Sequence, residues 1–98
     1  MSAAKLREQQ PAIEALAELA DACTDLPGAY LVLSKHSPGV IMVQADSHEA
    51  FEGWREALRI APAEVVLDDL GLEFSGPVAG VTARVYLAMQ VLTEAVAS

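Results

Sequence analysis

The sequence predicts an α+β domain, a mainly antiparallel sheet packed by helices in the order α-β-β-α-β-β-β-α. Three observations carry this. Two short apolar runs, each preceded by Pro-Gly (Pro27-Gly28 and Pro38-Gly39), read as a β-hairpin. A capped amphipathic segment follows the hairpin directly. Val81 to Leu87 alternates apolar and polar residues with the two-residue period of a half-buried strand. Ninety-eight residues make one domain, 1–98, and the hairpin–helix unit 29–61 is its organising core.

Met1 to Gln10 is polar and is expected to fray. Pro11 suits a first helical position, and Ile13, Leu16, Ala20 and Cys23 then recur at i, i+3, i+7 and i+10 as the apolar stripe of a first helix. On the same helix Glu14, Glu18, Asp21 and Asp25 form a carboxylate line at i, i+4, i+7 and i+11. Like charges at that spacing cost a few tenths of a kcal/mol, roughly, so helix stability does not account for the line.

Ala29 to Ser34 and Val40 to Ala45 are the hairpin strands. Pro38-Gly39 between them fits a type II turn, in which glycine takes positive φ. Both strands are apolar on both faces, which predicts cover on both. Asp46 or Ser47 then caps a second helix, with Asp46 and Glu49 at capping-box spacing. Phe51, Trp54, Leu58 and Ala61 form its core stripe, Arg55 and Arg59 share a polar face with Glu52 and Glu56, and Pro62 ends it. Gly53 within this helix marks either a close backbone approach or nothing.

Val65 to Leu67 and Leu72 to Ser75 are short strands around an Asp68-Asp69-Leu70-Gly71 turn. The breakers of Gly76 to Gly80 make a loop. After the strand at Val81, Met89, Leu92 and Val96 are spaced for a C-terminal helix over 88–98.

Composition narrows function. The formal net charge of −8 repels phosphate, and the six lysines and arginines are scattered, so direct nucleic-acid binding is not expected. No apolar run approaches the ~20 residues of a membrane span, and Met1 to Gln10 lacks the apolar core of a secretory signal. The single cysteine, Cys23, cannot form an internal disulfide and reads as a core thiol, which suits a reducing cytoplasm. High hydrophobicity in so short a chain, 53%, points to a homodimer.

No nucleophile elbow, phosphate loop, zinc spacing or calcium loop occurs, so no catalytic residue, cofactor or metal is expected. Two histidines, His36 in the hairpin turn and His48 at a helix start, read as surface polar residues.

Phe51-Glu52-Gly53-Trp54-Arg55-Glu56-Ala57-Leu58, with Leu72-Glu73-Phe74-Ser75-Gly76 and Gly80-Val81, resembles small uncharacterised proteins of actinobacteria and their phages. There an F-x-x-W-R-E-A-L helix sits between a hairpin and an antiparallel sheet. The resemblance spans residues 28–87 and implies an accessory protein of a phage or mobile element, with no activity attached.

The expected function is therefore a non-enzymatic, acidic protein-interaction module that meets a basic protein through Glu14, Glu18, Asp21 and Asp25. Two other classes fit the composition: a nucleic-acid mimic that occupies a DNA-binding protein, and a small-ligand site or enzyme around His48, Trp54 and Tyr86.

Overall fold

The computed structural model describes residues 5–90. It contains α1 (Gln10–Ala22), β1 (Tyr30–Leu33), β2 (Val40–Gln44), α2 (His48–Ala57), β3 (Val66–Asp68), β4 (Gly71–Val78) and β5 (Val81–Ala88), with 3-10 turns at Leu6–Gln9 and Pro62–Glu64. The α+β class stands. The five strands form one mixed sheet in the order β1-β2-β5-β4-β3: three neighbouring pairs are antiparallel and β2 runs parallel to β5. Met89 and Gln90 are already helical in backbone, and the rest of the helix predicted over 88–98 lies outside the described residues.

Register gathers the core on one face. Ile41 and Val43 of β2 stand beside Ala83 and Val85 of β5, and Phe74 of β4 stands beside Val85. These pack with Ala12, Ala15 and Leu19 of α1 and Ala50, Phe51 and Trp54 of α2 in one buried cluster. Phe51 meets Phe74 edge to face, with ring centroids 5.1 Å apart, a geometry worth about 1 kcal/mol beyond area burial.

The other face carries Tyr30, Val32, Met42, Gln44, Glu73, Arg84 and Tyr86, and no described element covers it. Within the described residues both helices pack on one face, so β1 is largely exposed and β2 buries only alternate residues.

Several local features differ from the sequence pattern for identifiable reasons. The buried line of α1 is Ala12, Ala15 and Leu19, while Ile13 and Ala20 are exposed. The helix is so rich in alanine that two adjacent stripes are apolar, and the smaller one turns to the sheet because it permits closer approach. Gly39 has no positive φ, so the hairpin turn closed by Val40 N–H on the Ser37 carbonyl (3.0 Å) is not type II. Ser47, not Asp46, caps α2: its Oγ accepts from Ala50 N–H at 3.0 Å.

Helix α2 stops at Ala57, ahead of Ala61, because Arg59 turns left-handed (φ 58°). Ile60 N–H then donates to Arg55 C=O and Arg59 N–H to Glu56 C=O, both at 3.0 Å, the paired bonds of a Schellman ending. Ala61 is consequently exposed outside the helix, and Arg59 leaves the face it was expected to share with Arg55.

Strand β4 runs through the expected loop. Val78 and Val81 close a two-residue turn whose central residues, Ala79 (φ 46°) and Gly80 (φ 88°), are both left-handed, as a type I′ hairpin requires. Counting back along β4 by alternation, residues 78, 76 and 74 bond β5 and Pro77 points away from it. On that side β3 reaches only Gly71 to Glu73, so Pro77 lacks an N–H where none is used.

Candidate functional site

Exposed acidic side chains run along both helices and the loop after α1. Glu14, Glu18 and Asp21 lie exposed along α1, opposite its buried line. Glu14 accepts from Gln10 Nε2 at 3.0 Å, a single local restraint on the row. Asp25 does not extend the row on the helix. Cys23 is the C-cap of α1, and Asp25 stands beyond it in the loop to β1.

That loop is tied down by Trp54, whose indole Nε1 donates to Pro27 C=O at 2.9 Å. Gly53 takes part: a Cβ there would sit 3.0 Å from Cγ of Pro27, so the glycine admits the loop against α2. The close backbone approach considered from sequence is the one that occurs.

The docked loop and α2 enclose an open cleft of about 700 Å³. Asp25 lines it together with Glu49, Glu52 and Glu56, which follow one another at i, i+3 and i+7 along α2. No lysine or arginine lines it.

Arg55 lies beside the cleft and engages Glu52 through two bonds, Nε to Oε2 at 2.8 Å and Nη2 to Oε1 at 3.3 Å. Its Nη1 donates to Ile60 C=O at 2.7 Å, joining the ion pair to the Schellman ending. Hydrogen bonding from Arg55 holds the Glu52 carboxyl below its ordinary range, burial opposes this in part, and the Arg55 charge adds to the lowering. Glu56 stands 3.9 Å from the same guanidinium and Glu49 has no ion pair among the described residues.

The α2 carboxylates were missed as part of a site. Their spacing was visible in the sequence, but only the fold brings Asp25 beside them.

The residues grouped as an alternative ligand pocket do not converge. Trp54 is buried beneath α2 in the helical layer, and His48 is exposed at the first turn of that helix. Tyr86 is on the uncovered face of the sheet, where its hydroxyl donates to Gln44 Oε1 at 3.2 Å. Strand alternation explains the separation: Val85 and Leu87 take the core face, which sends Tyr86 to the other.

Near Tyr86, Met42, Asp68, Leu70 and Glu73 line a shallow hollow of about 230 Å³. Its polar groups are already engaged: Arg84 Nη2 donates to Glu73 Oε1 at 2.7 Å, and Asp68 Oδ1 accepts from Leu70 N–H at 2.8 Å. His36 is exposed in the hairpin turn, and Cys23 is half-buried as a free thiol.

Among the described residues no group of three or more His, Cys, Asp or Glu side chains is placed to hold a metal ion. No described helix is long and apolar enough to cross a membrane. No family model, curated protein or solved structure matches the chain.

Proposed function

We infer that this protein is a non-enzymatic docking module whose acidic surface receives a basic segment of another protein. One observation carries this reading. The exposed carboxylates of α1 lead past its C-terminus, through Asp25, into a cleft lined by Glu49, Glu52 and Glu56 and by no cation.

Arg55 beside the cleft offsets part of the charge of Glu52 and Glu56, and the remaining concave excess of carboxylates concentrates field and steers cationic partners toward it. Because most of these groups are exposed, the attraction sets approach and selectivity more than tight affinity, and salt weakens it. Under the resemblance to actinobacterial and phage proteins, the module is a cytoplasmic accessory protein of a phage or mobile element.

The test begins with a nuclease-treated pull-down from source-cell extract, followed by affinity measurement on the captured partner. Glu18→Lys with Asp21→Lys, both exposed, should slow association and weaken binding, most at low salt, without changing the circular dichroism spectrum. Unchanged affinity in that variant refutes the reading. Release of the partner by DNA would assign the surface to nucleic-acid mimicry instead.

A further inference from the structure

Of the stripe expected to bury α1 in the core, Leu16 and Cys23 pack against that core, while Ile13 and Ala20 stay exposed. Ile13, Leu16 and Ala20 run along the flank of the helix next to its buried line, turned away from Glu14, Glu18 and Asp21. Leu16, Leu19, Ala20 and Cys23 form one wall of an apolar groove of about 310 Å³ whose opposite wall is Ala29 and Leu31 at the sheet edge. Exposed fractions are high for large apolar residues on both faces of this edge: Ile13 41% and Leu31 44% on the helix side, Val32 52% and Tyr30 67% on the other.

Among the described residues no strand pairs with the outer side of β1. In the parallel pair, Thr82 N–H bonds Gly39 C=O and Ala45 N–H bonds Tyr86 C=O, so odd-numbered residues of β2 face β5 and even-numbered ones face β1. Tyr30 and Val32, opposite Gln44 and Met42, therefore bond β2, and Leu31 and Leu33 turn their backbone groups outward. Gln9 Nε2 donating to Leu33 C=O at 3.1 Å agrees with that direction and is the one side chain among the described residues that reaches this edge.

The two edges of the sheet differ. Strand β3 ends on Asp68 and is followed by Asp69, charges that discourage pairing. From Leu26 to Ser34 there is no charged residue and no proline within β1 itself. Free N–H and C=O groups in alternation accept an extended strand, and a seam without charged residues sets no like charges against each other when a second copy pairs there. The chain's own β1 is such a strand.

We propose that two copies of this chain associate through antiparallel β1–β1 pairing about Leu31, forming a continuous ten-stranded sheet. A two-fold axis at Leu31 makes it exchange both backbone bonds with its counterpart and sets Tyr30 opposite Val32 of the second copy, an aromatic–β-branched cross-strand pair. The same operation brings the two α1 helices to one side of the sheet. Their Ile13–Leu16–Ala20 flanks then face each other over the seam, supplying apolar area that strand pairing alone would not bury. The surface is self-complementary, as an isologous interface must be, and it leaves Glu14, Glu18 and Asp21 outside.

The test is sedimentation and light scattering of the whole chain from about 1 to 100 μM, with hydrogen exchange at single amides. A dimer mass is expected, with the Leu31 amide protected. Leu31→Pro removes an outward N–H together with a leucine side chain of the groove wall, and Ile13→Glu places charge on an exposed helix position. Each should raise the dissociation constant about tenfold or more while the monomer keeps its circular dichroism spectrum. If Leu31→Pro fails to fold, Ile13→Glu decides.

A monomer mass throughout overturns the proposal. So does a dimer indifferent to Ile13→Glu, or a Leu31 amide protected in a monomer, which would mean that another segment covers the edge.

Discussion

Gly71 opens β4 at φ 136°, a conformation that side-chain-bearing residues rarely adopt. A Cβ built there would run into the Leu87 carbonyl oxygen and lie 2.8 Å from Met89 N. Both are backbone atoms, so no rotamer change relieves the overlap.

Gly71→Ala must therefore either twist the residue, at about 1–3 kcal/mol, or part β4 from β5 where Gly71 opposes Ala88. Parting the strands also endangers the Met89 N–H bond to Leu70 C=O (2.9 Å), worth about 1 kcal/mol net. The combined loss is about 2–4 kcal/mol, a large share of the ~5–15 kcal/mol that holds a domain of this size.

Gly80→Ala is the control. Its φ of 88° is also strained, yet nothing lies within 4 Å of the added methyl, so it should lose only about 1–2 kcal/mol. Urea unfolding followed by the fluorescence of Trp54, the sole tryptophan, and by circular dichroism compares the two. If Gly71→Ala loses no more than Gly80→Ala, the backbone-overlap argument is wrong.

Three further outcomes are expected. Arg59→Gly should stabilise the protein by about 0.5–1 kcal/mol in the same assay, because the left-handed position at φ 58° costs arginine more than glycine; a loss would show that the Arg59 side chain contributes. Gly53→Ala should miss the gain of about 1 kcal/mol that helix propensity alone promises, because the Pro27 ring stands 3.0 Å from the new methyl; a full gain would mean that the loop yields freely. Glu52→Gln probes the pH dependence. The Glu52 carboxyl is held below its ordinary 4.5 in the folded state by Arg55, so the stability it contributes is complete above that value and fades as pH falls through the lowered one. Wild type should exceed Glu52→Gln at neutral pH and converge with it in acid, as urea midpoints across that range will show.

Much of the fold was legible because local chemistry and burial agreed. Phe51 and Trp54 sit at helical spacing after a serine cap, and both are buried. Val81, Ala83, Val85 and Leu87 alternate in the sequence and line the core face of β5. Where two solutions satisfied one pattern, the sequence was ambiguous. Helix α1 has two apolar stripes, and only packing against the sheet chooses Ala12, Ala15 and Leu19. The acidic cleft was hidden for a related reason: Asp25 and Glu49 are far apart in the chain, and the Trp54–Pro27 bond that docks the loop leaves no local signature.

By itself the sequence determined the strongly acidic charge, the hairpin leading into a capped helix, and the closing strand, because composition, caps and two-residue alternation act over a few neighbouring residues. Tertiary structure alone decided the parallel contact of β2 with β5, the placing of Pro77 within a strand, and the position of β1 at the sheet edge among the described strands. Each depends on which strand lies alongside. A proline is tolerated where its neighbour is missing, and an edge exists only where pairing stops, so neither can be settled by the residues nearest to it in the chain.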